Sequence, residues 1–237
     1  MSTSRVVLVT GAGRGIGRAI AEAFVAAGET VAVLVRTEGA APQGAHEYLA
    51  DVTDTAAVDA AFTAIEQDLG TVEVLVANAG VTRDGLLMRM SDEDFDAVID
   101  TNLRGTFTVV RRASTGMIRL RRGRIVMVGS VVGLYGGAGQ VNYAASKAAL
   151  VGMARSITRE LGGRGITANV VAPGFVETAM TAALPEETQQ QYKTAIPAGR
   201  FASTDEVAGV VRFLASDAAA YVSGALIPVD GGLGMGH

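Results

Sequence analysis

The stretch RVVLVTGAGRGIGRAIAEAFVAAG, residues 5–28, decides the fold. RVVLVT (5–10) is a continuous β-branched run, the pattern of a strand buried on both faces. Farther on, Ile16, Ala19, Ile20, Ala23, Phe24 and Ala27 recur at helical spacing, and Gly28 stands at the C-terminal stop. TGAGRGIG (10–17) joins the two elements. A strand that turns through glycines into a helix aims backbone N–H groups and a helix N-terminus at a phosphate. Gly11 can take the angles of a tight turn, and Gly15 and Gly17 let the backbone approach a ligand and the sheet.

The same alternation continues outward. TVAVLV (30–35) reads as a second strand, HEYLADV (46–52) ends a short third, and residues 54–69 read as helix. VEVLVANAG (72–80) is a fourth strand running into a turn. Residues 92–117 suit one long helix, with Ser91 as N-cap and Asp94 as a weaker stand-in for a capping-box Glu. GRIVMVGS (123–130), ITANVVAPG (166–174) and ALIPVDGG (225–232) are further strands, with helices expected over 143–161 and 204–216. The pattern implies an α/β fold: a Rossmann-type, doubly wound parallel sheet of about seven strands, helices on both faces, one domain over 1–237. The polar stretch 175–203, with Pro185, Pro197 and QQQ (189–191), reads as an irregular lid over the substrate.

Composition narrows the function. A formal charge of −4 argues against a general nucleic-acid binder. The chain has no cysteine, so thiolate metal sites, disulfides and a cysteine nucleophile are excluded, and no metal is expected. Met1 to Ser4 leave no room for a basic-then-apolar leader, and no apolar run is long enough to span a membrane; a cytoplasmic location is expected.

The glycine spacing is G-x-x-x-G-x-G, without the Lys-Ser/Thr ending of a nucleoside triphosphate loop, which argues against an ATPase or GTPase. Arg36 follows the second strand, where an NAD site usually places an acid, and Arg14 lies inside the glycine loop. Two guanidinium groups near one ribose favour a 2′-phosphate, hence NADP (NADPH), while Glu38 keeps NAD open. Asp51 and Val52 close the third strand, where Asp51 either meets an adenine edge or caps the next helix. Asn78 to Gly80 close the fourth, beside the expected adenine ribose.

YAASK (143–147) sets Tyr143 and Lys147 on one helix face. A lysine ammonium nearby favours the phenolate and lowers the tyrosine pKa, suiting Tyr143 to acid–base work. Ser130, at the end of the fifth strand, can donate to a substrate carbonyl oxygen beside Tyr143, where hydride arrival builds negative charge. Asn102 can hold a water that links Lys147 to solvent, or be a helix-interior amide satisfied by backbone.

Together TGAGRGIG, NAG (78–80), Asn102, Ser130, YAASK and PG (173–174) resemble the short-chain dehydrogenase/reductase family over nearly the whole chain. NAGVTRDGLLMRM, GSVVGLYGGAGQVNYAASKAAL, NVVAPGFVETAM and IPVDGG resemble its 3-oxoacyl-[acyl-carrier-protein] reductases. VDGGLGMGH and YAASKAALVGMARSITREL are most similar to the mycobacterial or actinobacterial form. The resemblance implies a catalytic tetrad of Ser130, Tyr143, Lys147 and Asn102, with Asn102 on a relay water. It implies cofactor contacts by Gly11, Arg14, Ile16, Arg36, Asp51, Val52, Asn78, Tyr143, Lys147, Val176 and Thr178, the last on the nicotinamide carboxamide. It implies NADPH-dependent reduction of a 3-oxoacyl thioester in fatty acid biosynthesis. A homotetramer is implied too, with helices 91–117 and 143–161 at one interface and the last strand at another. Acyl carrier protein is the implied partner, docking at Arg121 and Arg164; Arg121 lies within the cluster RLRRGR (119–124). Gly13 departs from the family, where many members carry Ser or Asn, and so loses a contact that would order the loop. The alternatives are a reductase for another ketone (acetoacetyl-CoA, a polyketide or a xenobiotic) and a non-catalytic NADP sensor.

Overall fold

The computed structural model describes residues 4–235, apart from the Met180 side chain. The expectation about a leader at residues 1–3, and the last two residues of the VDGGLGMGH motif, lie outside the described residues. Seven strands form one sheet: β1 (Val6–Thr10), β2 (Thr30–Val35), β3 (His46–Leu49), β4 (Val72–Ala77), β5 (Gly123–Val128), β6 (Ile166–Pro173) and β7 (Leu226–Val229). Their order is β3-β2-β1-β4-β5-β6-β7 and every pairing is parallel. The chain builds outward from β1 to β3, then returns to β4 and builds the other way. That reversal opens a crevice at the carboxyl ends of β1 and β4.

The helices are α1 (Gly15–Ala26), α2 (Thr55–Asp68), α3 (Asp92–Ile99), α4 (Thr106–Leu120), α5 (Val132–Tyr135), α6 (Val141–Leu161), α7 (Ala179–Ala182), α8 (Glu186–Ala195) and α9 (Thr204–Ala215). Alternate strand residues face opposite sides, which is why the strands read as unbroken apolar runs. Leu8, Leu34, Leu75 and Ile125 pack with Phe62 of α2, Met117 of α4 and Leu150 of α6. Val7, Val33, Val74 and Val126 pack on the other face with Phe24 of α1 and Val211 of α9.

Three expectations change. The long helix is not uniform: α3 and α4 are joined by a π-helical turn, Asp100–Gly105, and α4 runs on to Leu120. Ser91 does cap α3, its hydroxyl accepting from Asp94 N at 3.1 Å. The turn widens where Asn102 is drawn inward to the backbone of Val81 and where Gly105 meets Val52; a Cβ on Gly105 would stand 2.7 Å from Val52 Cγ2. Secondly, β3 stops at Leu49, so Asp51 and Val52 lie beyond it; Asp54, not Asp51, caps α2 by accepting from Ala56 N and Ala57 N. Thirdly, the stretch 175–203 is not irregular but carries α7 and α8. Phe175 stacks on Tyr192 of α8 at 4.2 Å and on buried Phe201 at 5.6 Å, and Ala198 N donates to Gly231 O at 3.0 Å.

Candidate active site

The glycine loop is set on the end of β4. Thr10 Oγ1 accepts from the amides of Asn78 and Ala79, both at 3.0 Å. Asn78 Nδ2 donates to Thr10 O at 3.0 Å and Gly11 O at 3.1 Å. Asn78, expected at the cofactor, thus spends both amide N–H groups on shaping the loop. Gly11 has φ +67, and a Cβ there would stand 2.8 Å from Ala79 Cα. A Cβ on Gly17 would collide with Asn78 and with Gly11 O. Ile16 packs on the α1 core.

The start of α1 fits an external anion. Arg14 is its N-cap but caps nothing with its side chain, and the first turn has no acid. The first amides and the positive end of the helix are left open to an anion. Thr178 closes on this loop: its Cγ2 would lie 3.7 Å from a Cβ on Gly15. It is held there by Thr181, whose hydroxyl accepts from Thr178 N at 2.9 Å and donates to Val176 O at 2.7 Å. Val176 is buried and bridges to Ala202.

Beyond β2, Arg36 is exposed and pairs with Asp51 at 3.7 Å. Burial works to raise the Asp51 carboxyl, but the Thr53 amide and hydroxyl and Arg36 outweigh it and hold it below its ordinary value. Val52 is buried in the core beneath the loop. Arg14 is exposed too.

Tyr143 and Lys147 sit in the first turns of α6, with Lys147 Nζ 5.7 Å from the Tyr143 ring centre. Lys147 is buried, and Nζ donates to Val128 O at 2.8 Å. Burial pulls its pKa down to about 8. Ser130 Oγ accepts from Val132 N at 3.2 Å, which leaves its O–H to donate elsewhere. Burial raises the Tyr143 phenol, the Ser130 hydroxyl pulls it back, and the Asp84 carboxylate raises it again. The lowering expected from Lys147 is therefore not found: burial dominates, and the ammonium is turned to a carbonyl.

Asn102 is fully buried. Its Oδ1 accepts from Val81 N at 2.8 Å, and Nδ2 donates to Val81 O at 3.0 Å and Ser146 Oγ at 3.1 Å. Ser146 Oγ in turn donates to Tyr143 O at 2.7 Å. A Cβ on Gly80 would stand 3.1 Å from Asn102 Oδ1 and 3.4 Å from Lys147 Nζ. Glycine there keeps the two groups facing one small space.

Two residues that the sequence did not single out belong to this site. Buried Asn142 donates through Nδ2 to Arg83 O at 2.9 Å and Asp94 O at 3.2 Å, and its Oδ1 accepts from Tyr143 N at 2.7 Å. It fixes the start of the tyrosine helix to the facing loop. Asp84 accepts from Gln140 Nε2 at 3.0 Å and ties the same two segments. Only an amide directly before the tyrosine hinted at Asn142. No group of His, Cys, Asp or Glu among the described residues is arranged to hold a metal.

Arg121 and Arg164 come together, but elsewhere. Arg121, left-handed at φ 52, donates to Gly163 O at 3.3 Å, next to Arg164. Both precede the amino ends of β5 and β6, whereas Ser130 lies past the carboxyl end of β5. A strand of that length separates them by roughly 20 Å.

The family model described as enoyl-(acyl carrier protein) reductase matches residues 11–234. The chain is 57% identical over 234 residues to the 3-oxoacyl-[acyl-carrier-protein] reductase MabA of Mycobacterium tuberculosis, covering 99% of this chain and 94% of that protein. It is 54% identical to the protein of the same name from Mycobacterium avium, covering 99% and 91%. With the 3-oxoacyl-[acyl-carrier-protein] reductase FabG of Escherichia coli it shares 46% identity, covering 98% of each. A crystal structure described as a gluconate dehydrogenase from Agrobacterium tumefaciens superposes with a TM-score of 0.94 at 32% identity, covering 98% and 96%.

Proposed function

Since the chain belongs to the short-chain dehydrogenase/reductase family and is an oxidoreductase, we propose that it reduces a 3-oxoacyl-[acyl-carrier-protein] to the 3-hydroxyacyl form with NADPH, in fatty acid biosynthesis. The observation that carries this reading is the pairing of two hydroxyls, Ser130 and Tyr143, beside a buried lysine. Two donors suit a developing alkoxide, so a carbonyl fits the site better than the carbon–carbon double bond in the family model's description. The names of the relatives agree.

Held by the glycine loop, Lys147 and Thr178, a nicotinamide cofactor would supply the hydride for the carbonyl carbon. Ser130, with one lone pair taken by Val132 N, keeps its proton free to donate to the carbonyl oxygen. Tyr143 gives that oxygen its proton; a phenol raised by burial is protonated at neutral pH, as an acid must be. Lys147, still mostly charged below pH about 8, holds the nicotinamide ribose and stands by to return a proton to Tyr143. Asn102 Oδ1 keeps one lone pair toward the space beside Gly80 and Lys147, the place for a relay water. Arg14 and Arg36 favour the 2′-phosphate of NADP, Gly11, Gly15 and Gly17 let the pyrophosphate approach, Thr178 meets the carboxamide, and 175–203 covers the substrate.

Arg121 and Arg164 offer charge complementary to an acidic carrier. Since they sit at the far end of the sheet from their own Ser130, in this reading they serve the site of a neighbouring subunit in a homotetramer. Exposed Phe107 and Leu120 of α4 and Val141 of α6 support such a contact. No helix among the described residues is long and apolar enough to cross a membrane; a cytoplasmic enzyme belongs to the same reading as its role in fatty acid biosynthesis.

Steady-state assays with acetoacetyl, long-chain 3-oxoacyl and enoyl thioesters, each with NADPH and NADH, test the assignment. Oxidation of NADPH by the 3-oxo substrates alone is expected; no oxidation of either cofactor by them overturns it.

A further inference from the structure

Between β2 and β3 the chain makes a loop, residues 36–45, that begins with Arg36. This loop is fastened from the edge strand. Glu47 of β3 lies level with Val33 of β2, which faces α1. Its carboxylate reaches back into the loop: Oε1 accepts from Gly39 N at 2.8 Å and Oε2 from Ala41 N at 2.8 Å. Gly39 has φ +75, a left-handed turn that brings neighbouring amides to one side. Such a concavity of N–H groups binds anions, and here it is filled by the chain's own carboxylate.

The residue between the two tethered amides is the contact to the glycine loop. A Cβ on Gly13 would stand 3.1 Å from Ala40 Cβ, tighter than ordinary packing. Ala40, Ala41 and Ala45 also pack against the α1 core. Glycine at 13 is therefore matched to the tethered loop: Ala40 occupies the room that a larger side chain would need. The path runs from Glu47 through Gly39 and Ala41 to Ala40, then to the loop that carries Arg14.

We propose that Glu47 is a positioning residue for recognition of the cofactor's 2′-phosphate, holding Ala40 against Gly13 and so fixing the segments of Arg36 and Arg14 relative to each other. This role rests on the NADP reading given above. Glu47 touches neither arginine; it acts through the backbone of 39–41. The amides of Gly39 and Ala41 hold its carboxyl below the usual range, so it stays ionised at neutral pH.

The test compares the full chain with Glu47→Ala and Glu47→Gln. Calorimetry measures binding of adenosine 2′,5′-bisphosphate and of 5′-AMP, and hydrogen exchange follows the Gly39 and Ala41 amides without ligand. In Glu47→Ala, bisphosphate affinity is expected to fall roughly tenfold, with AMP affinity changed less than about twofold. KM for NADPH should rise by the same factor with kcat nearly constant, both amides should exchange faster, and Glu47→Gln, which keeps one acceptor oxygen, should fall between. Unchanged bisphosphate binding overturns the proposal. Tighter binding does so as well, because the nest would then be a phosphate site that Glu47 plugs. If the unaltered chain itself binds the bisphosphate no better than AMP, the NADP reading fails first, and the proposal with it.

Discussion

The two ends of the sheet are built on the same core and are electrostatic opposites. At the amino end, the charges beneath the Arg121 and Arg164 rim are matched in place. Arg5 pairs with Glu29 and donates to Ala215 O at 2.7 Å, Arg122 lies between Glu73 and Asp217, and buried Arg124 reaches Asp217 at 3.3 Å. At the carboxyl end, the fixed groups are nearly all neutral: Thr10, Asn78, Asn102, Ser146 and Asn142 bond to backbone. The one buried ammonium there, Lys147, has a carbonyl for company, and the start of α1 has no capping acid. Within the fold the amino end matches its charges and holds the sheet together, leaving Arg121 and Arg164 at its rim without an ion pair among the described residues; the other end is left short of negative charge, which a ligand can supply.

The sharpest way to break this contrast is Tyr143→Phe. It should cost about a thousandfold or more in kcat on a 3-oxo thioester and leave NADPH affinity within a few-fold. Turnover kept by that variant would falsify its role as acid. The pH profile comes next. Lys147 titrates near 8, below the usual 10.5. Between those values the unfolded chain binds a proton that the folded chain has lost, so stability rises with pH through that window. The same deprotonation removes the ammonium used in reduction. Above pH 8 the rate should fall about tenfold per unit while melting temperature, referenced to Lys147→Met, climbs. A reference-corrected melting temperature that is flat from pH 7 to 10 contradicts the buried, charged lysine. Asn78→Ala should raise KM for NADPH about tenfold by freeing the glycine loop, with little change in kcat. At the other end, Arg124→Met should lower stability by roughly 1–3 kcal/mol in denaturant titrations and leave kcat within twofold. A large loss of kcat there would show that the two ends are coupled.

Legibility in the sequence divides along similar lines. The parallel sheet could be read because strands buried on both faces cannot hide their apolar runs. Tyr143, Lys147 and the glycines are written into local spacing. Asn142 and Asp84 were not, because their partners, Arg83, Asp94 and Gln140, lie in other segments. The helix α8 was missed for another reason. It buries no residue and so has no apolar stripe; Glu186 and Glu187 in its first turn and Lys193 in its last suit the helix dipole instead. The lysine effect on Tyr143 was overestimated because sequence shows neighbours but not the depth at which they sit.

The π-helical turn at Asp100–Gly105 carries a consequence for the length of the chain. It holds one residue more than an α-helical turn, and each residue advances a helix by about 100°. The turn is thus a phase shift between α3 and α4. Any side-chain exchange that keeps Asn102 and Gly105 leaves that phase alone. Deleting one residue there would restore regular winding with Val109, Ala113 and Met117 still on the sheet, whereas deleting one at the start of α4 would turn them about 100° away. What a deletion in the turn would remove is the inward placement of Asn102 on Val81, not the packing of α4.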